Sequence, residues 1–106
     1  MASAELKTVI DMLRAAPMMA GNDPLELRAG MAAATALAPP PTNATVTLVD
    51  AGGAPAEWTD ADGVSGDAAI VYLHGGGYIM GNLDSHRRLV ANLSEASGIR
   101  ALSVDY

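Results

Sequence analysis

In the first sixteen positions, Leu6, Val9, Ile10 and Leu13 recur at spacings of three and four, with Lys7, Asp11 and Arg14 between them. That period lays one apolar stripe along a helix, so it predicts a helix over 4–16 with Ser3 as N-cap. Pro17 ends it, and Met18-Met19-Ala20-Gly21 reads as a flexible apolar joint. A second helix is predicted from Asn22 or Asp23 as cap to about Ala36. Pro24 sits at its first position, Glu26 in the first turn where the dipole favours a carboxylate, and Leu25, Met31 and the alanines form its small-residue face. Pro39-Pro40-Pro41 closes it. From Thr42 to Asp50 the pattern alternates around Val46, Leu48 and Val49, which predicts an edge strand. Ala51–Pro55 turns the chain into a short return strand over 56–60, antiparallel because the connection is only a few residues long. Residues 60–67 read as an exposed loop, whose aspartates lack the spacing and terminal glutamate of an EF-hand. Ala68–Leu73 is then an unbroken apolar run, the mark of a strand buried on both faces. A third helix is expected from Asp84 or Ser85 to about Ala96, with Leu89, Val90, Leu93 and Ala96 on one face and Gly98 just past its end. Ile99–Asp105 is the next strand. Strand, helix and strand make a parallel unit with a right-handed crossover, and the fold class is α/β.

The 68–73 run leads directly into His74-Gly75-Gly76-Gly77-Tyr78. Three consecutive glycines stabilise neither strand nor helix; they offer peptide N–H groups with no Cβ in the way, at the strand end where open α/β sheets bind ligands. A dinucleotide loop needs G-x-G-x-x-G, and counting from Gly75 and Gly77 the third glycine falls on Met80. A phosphate-binding P-loop fits the spacing of Gly76 and Gly81, but Asn82 and Leu83 stand where its lysine and hydroxyl belong. The remaining chemistry is an oxyanion hole, N–H donors aimed at the oxygen of an ester carbonyl as it becomes tetrahedral, for which HGGG is a recognised loop.

His74–Tyr78, followed by Ile79-Met80-Gly81-Asn82-Leu83-Asp84-Ser85-His86, resembles the H-G-G-G-[FY] and Asp-x-His motifs of hormone-sensitive-lipase-like (bacterial family IV) carboxylesterases. Leu102-Ser103-Val104-Asp105-Tyr106 resembles the start of that family's next landmark, V-D-Y-R-L-A-P-E. The resemblance implies the N-terminal fragment of an α/β-hydrolase fold: two cap helices, an antiparallel strand pair, then a β-α-β unit. Residues 1–41 would be the cap or lid, and 42–106 the first strands and helix A of an incomplete hydrolase domain. It implies ester hydrolysis through a serine nucleophile, a histidine base and an acyl-enzyme, without metal or other cofactor. Gly75, Gly76 and Gly77 would form the oxyanion loop, with Gly76 and Gly77 supplying two donors. His74 would brace that loop, and Tyr78 would pack near the acyl pocket. Asp84 and His86, close in sequence, pair with each other or order the loop; with His74 they fit no metal-ligand spacing. The family's G-D-S-A-G elbow is not matched: Gly63-Val64-Ser65-Gly66-Asp67 lacks the last glycine and precedes a strand, so it reads as a turn. The 106 residues alone are therefore expected to be inactive. The alternatives are a non-catalytic small-molecule-binding protein on a hydrolase fold, or a truncated inactive fragment.

Composition narrows the partners. The formal charge is −6 with no basic cluster beyond Arg87-Arg88, which disfavours nucleic acid and anionic membranes. There is no cysteine, hence no disulfide or thiol chemistry. Charges through the first twenty residues argue against a signal peptide, and a cytoplasmic protein is expected. The implied partner is a small-molecule ester, and a homodimer of the full-length protein is compatible with the resemblance. Half the residues are apolar, but many are alanine, so the core is expected to rest thinly on the Leu, Ile, Val and Met positions with Trp58 and the tyrosines.

Overall fold

A computed structural model of the chain describes residues 2–15, 23–37 and 39–106. The elements run α1 (Ala4–Ala15), α2 (Pro24–Ala36), β1 (Ala44–Asp50), β2 (Pro55–Ala61), β3 (Ala69–Leu73), α3 (Leu83–Ser97) and β4 (Arg100–Val104). The four strands form one mixed sheet in the order β1-β2-β4-β3. β1 and β2 form an antiparallel hairpin, β4 pairs antiparallel with β2, and β3 and β4 run parallel across α3.

Each helix begins where local chemistry dictates. Ser3 Oγ accepts from Leu6 N at the start of α1. Asp23 caps α2 through Leu25 N, with Pro24 in the first turn. The expected joint at Met18–Gly21, Pro17 and the alternative cap Asn22 lie outside the described residues. The N-cap of α3 is Asn82, not Asp84 or Ser85. Asn82 Oδ1 accepts from Ser85 N and Ser85 Oγ accepts from Asn82 N, a reciprocal capping box, in which a serine serves in place of the usual longer side chain. Gly98 ends α3 in the left-handed region, φ 68°, with its N–H bonded to Ser94 O.

The buried faces differ from those the periodicity suggested. On α3 the inward residues are Leu83, Val90, Ala91 and Ser94, while Leu89, Leu93 and Ala96 are exposed. On α2 it is Leu27 that is buried, and Leu25 points out. No residue of α1 is buried, so its Leu6, Val9 and Leu13 stripe lies uncovered. β3 stands at the sheet edge, with alternating burial and with Val71 and Leu73 more than 60 % exposed (63 % and 62 %). Its continuous apolar run therefore does not correspond to burial on both faces in this chain.

The core lies between α3 and the sheet face made by Glu57, Thr59 and Ala61 of β2 with Ala101 and Ser103 of β4. Residues opposite each other in register, Glu57 with Ser103 and Thr59 with Ala101, share that face. Its apolar members are mainly alanines with Val90, and buried Glu57, Thr59, Ser94 and Ser103 share it. That is smaller and more polar than the expected core of large aliphatics; Ser94 and Glu57 are used as ties, whereas Thr59 Oγ1 and Ser103 Oγ have no hydrogen-bond partner among the described residues. Ser94 Oγ accepts from Ala61 N (3.1 Å) and donates to Thr59 O (3.3 Å), joining α3 to β2. Glu57, fully buried, receives Arg87 through contacts of 2.8–3.2 Å. Hydrogen bonding to Glu57 raises the Arg87 pKa above the ordinary guanidinium value. On the other face Asp60 is held by Arg100 Nε and Nη2, both at 3.0 Å, and that guanidinium lies 4.1 Å from the Trp58 ring centre. Asp60 thus belongs to the return strand expected over 56–60 and to an ion pair, and the exposed loop expected from residue 60 begins after Ala61.

Candidate functional site

The loop from His74 to Asn82 joins the C-terminal end of β3 to the N-terminal end of α3. Gly76 sits at φ 141°, and its carbonyl accepts from both Ile79 N and Met80 N at 3.2 Å. A Cβ at Gly76 would lie 1.9 Å from Met80 O, and one at Gly81 would lie 2.5 Å from both Gly75 O and His74 Nδ1. Both glycines are therefore required by close approach of the backbone.

Because a trans peptide sets C=O and N–H on opposite sides, fixing the Gly76 carbonyl into the turn directs the Gly77 N–H out of it. Among the described residues, the N–H groups of Gly75, Gly76 and Gly77 donate to no internal acceptor. Gly75 and Gly77 are exposed and Gly76 is half-buried. Donors fixed in this way can receive a developing negative charge without reorganising, and the nearby start of α3 adds partial positive charge. Tyr78 follows at φ 63° and is 91 % exposed, its ring edge-on to Tyr106 at 6.2 Å.

His74 is 4 % exposed. Its Nδ1 lies 3.0 Å from Gly75 O, and since a carbonyl only accepts, Nδ1 carries the proton of that bond. The ring stacks on Tyr106 (centroids 4.6 Å apart) and on His86 (5.6 Å). Tyr106 hydroxyl donates to His74 O at 2.5 Å. His74 Nε2 has no hydrogen-bond partner among the described residues and lies 3.7 Å from Asp105 Oδ1. The parallel pairing of β3 and β4 is what brings Asp105 and Tyr106, just past β4, beside His74, just past β3.

His86 Nδ1 lies 2.8 Å from Ser85 Oγ. Partial burial, then the neighbouring His74, lower the His86 pKa below the ordinary imidazole value, against a smaller opposing effect of a backbone hydrogen bond at Asn82. Asp84 does not pair with His86. It is 70 % exposed and turns to Arg87 Nη1 at 2.6 Å, extending the Glu57–Arg87 pair towards solvent. The structure thus gathers His74, the three glycines and His86, and leaves Asp84 on the flank. Among the described residues no three His, Asp or Glu side chains converge as a metal-ligand set, and no helix is long and apolar enough to cross a membrane.

Two contributors were not singled out from the sequence. A cavity of about 350 Å³ lies between α2 and the start of α3, lined by Arg28, Met31, Asn82, Ser85, Asp105 and Tyr106 among others. Arg28 Nε donates to Ile79 O at 2.5 Å, so α2 reaches the glycine loop directly. A lone arginine on an exposed helix carries no sequence signal for such a contact.

The sequence pattern of the alpha/beta hydrolase fold family matches residues 70–106. Over 39 residues the chain is 51 % identical to the ethyl acetate hydrolase of Pseudomonas putida and 46 % identical to the acetyl esterase of Salmonella paratyphi B, each match covering 37 % of this chain and 12 % of the relative. The crystal structure of an esterase from the bacterial hormone-sensitive lipase family superposes with a TM-score of 0.89 at 31 % identity, covering 100 % of this chain and 36 % of that one. The chain spans little more than a third of that solved relative. The structural match runs along the whole chain, whereas the family pattern covers the glycine loop and the β-α-β unit around it.

Proposed function

We propose that this chain, the N-terminal part of a hormone-sensitive-lipase-like α/β hydrolase, serves a protein that hydrolyses carboxylic esters. Its own contribution is the oxyanion loop and the lid. The observation that carries this reading is the Gly76 turn: its carbonyl is taken by Ile79 and Met80, while the Gly77 N–H meets no acceptor among the described residues and is turned outward. In the reaction a serine from the rest of the protein attacks the ester carbonyl. The N–H groups of Gly76 and Gly77 bind the oxygen as it becomes negative. Each such donor contributes about 3–4 kcal/mol to the transition state.

His74 acts as a brace, with Nδ1 committed to Gly75 O and the ring packed against Tyr106 and His86. His86 supports His74 by stacking, and Asp84 acts at the base of α3 through Arg87. Tyr78, exposed beside the loop, is placed to meet the substrate. Residues 1–41 form the lid and 42–106 the first part of the hydrolase domain. The sparse anchoring of the two helices suits a lid, since Leu27 is their only buried residue among those described. The names of the ethyl acetate hydrolase and the acetyl esterase favour short acyl groups.

The test is hydrolysis of p-nitrophenyl acetate and butyrate by the complete protein. Turnover is expected for the complete protein, and none from the 106 residues alone above a Gly76→Pro control. A complete protein inert towards short-chain esters would overturn the assignment.

A further inference from the structure

We infer that Arg28, on α2, is a positioning residue for the Gly77 donor and acts through two aligned peptide groups. The inference rests on the oxyanion reading of the glycine loop. Arg28 Nε donates to Ile79 O at 2.5 Å. The peptide that owns this carbonyl also owns the Met80 N–H, and Met80 N donates to Gly76 O at 3.2 Å. The peptide that owns the Gly76 carbonyl owns in turn the Gly77 N–H. Since trans peptides place C=O and N–H on opposite sides, the chain reads in one direction: guanidinium, Ile79–Met80 peptide, Gly76–Gly77 peptide, Gly77 N–H. Both peptide dipoles point their positive ends towards the donor, and each hydrogen bond polarises the next. A permanent cation begins the series, because an arginine side chain stays protonated.

Two features make the arrangement specific. The Met80 N–H···O=C Gly76 hydrogen bond joins these two peptides directly, and the next carbonyl, Met80 O, closes on Gly76 so tightly that no Cβ fits there, so a rotation of one peptide is transmitted to the other. A second polar tie nearby, from Arg88 Nη1 on α3 to Pro39 O at 3.0 Å, anchors the linker after α2 and does not touch the loop. Arg28 alone joins α2 to the glycine loop by a side-chain hydrogen bond among the described residues. Its removal should loosen the donor without undocking the helix. The lid would therefore set the donor's orientation as well as cover the site.

The experiment compares Arg28→Met, Arg28→Lys and Arg88→Met in the complete protein by amide hydrogen exchange and by ester kinetics. Arg28→Met should speed exchange at Met80 at least tenfold and lower kcat about tenfold with KM little changed. Arg28→Lys, which keeps a cationic donor, should restore much of both, and Arg88→Met should alter neither. Unchanged Met80 exchange in Arg28→Met, or equal effects from Arg88→Met, would overturn the inference by reducing Arg28 to a docking contact. If the unmodified protein hydrolyses no ester, the oxyanion reading fails, whereas the exchange comparison still decides whether Arg28 orders the turn.

Discussion

The Glu57–Arg87 pair predicts an asymmetry that can be worked out from its burial. Glu57 on β2 is fully buried, while Arg87 on α3 is 31 % exposed and has a second partner in Asp84 at 2.6 Å. Replacing Arg87 by Met removes the one cation that Glu57 contacts among the described residues and leaves a fully buried carboxylate without that partner. The loss of one member of a buried pair costs about 3–5 kcal/mol, because the other charge is stranded. Replacing Glu57 by Leu leaves the guanidinium with solvent and Asp84, so only the ordinary worth of hydrogen bonds to a charged group is lost, about 1.5–3 kcal/mol. Arg87→Met should therefore be the more damaging change, and adding Glu57→Leu to it should recover stability. The assay is urea denaturation of the complete protein, read by far-ultraviolet circular dichroism, with both single variants and the double variant. Equal losses from the two single changes, or a double variant no better than Arg87→Met, would refute the claim that one-sided burial governs the pair.

Three further outcomes follow from individual contacts. Ser94→Ala leaves the Ala61 N–H buried without its acceptor, and should cost about 1–3 kcal/mol, seen as a lower urea midpoint at unchanged slope; a loss below about 0.5 kcal/mol would mean the amide finds another partner. Gly76→Ala forces a Cβ to 1.9 Å from Met80 O, and should reduce ester turnover about 100-fold or more by displacing the donors, as initial rates on p-nitrophenyl butyrate would reveal. His86 has its pKa lowered chiefly by burial, so the unfolded chain binds its proton more readily than the folded one. Its neutral form supports the fold fully above the unfolded value of about 6.5. That support declines as pH falls through the window below it, which His86→Gln should flatten in a pH series of urea melts.

How much of the fold could be read in the sequence depended on whether the signal was local. Helix starts and stops, the 51–55 turn and the strand order within the β-α-β unit follow from residues a few positions apart. Accordingly Asp23, Pro24 and Gly98 stand where the chain punctuation put them. Faces are a different matter, because what covers a helix is decided by partners elsewhere in the chain. Leu89 and Leu93 keep the period of a buried stripe, yet the sheet side of α3 takes Val90, Ala91 and Ser94. There Ser94 bonds the β2 main chain at Ala61 N and Thr59 O, and Arg87 pairs with buried Glu57, contacts that leucines could not make. β3 shows the same limit from the other side. Its uninterrupted apolar letters describe a strand suited to burial on both faces, and among the described residues only β4 pairs with it.

The site divides along the same line. The need for glycine in the loop was legible because it is a matter of backbone space: only residues without a Cβ allow Met80 O and His74 to approach as closely as they do. The side-chain half of the site was not. His74 was visible as a residue, but its surroundings depend on parallel pairing that carries Asp105 and Tyr106 to the same sheet end. Arg28 stands 51 positions before the carbonyl it binds, and an arginine among alanines on a helix surface looks like an ordinary solvated charge. Asp84 was legible as an acid near the start of a helix, yet its partner was set by a helix step of three residues to Arg87 rather than by proximity to His86. That choice has a consequence for the loop. With Asp84 drawn to Arg87 and Ser85 held by Asn82, the first turn of α3 is fixed by its own side chains. The orientation of the glycine peptides is then left to the contacts across the turn, so that Gly76 O, Met80 N and Arg28 decide where the donors point.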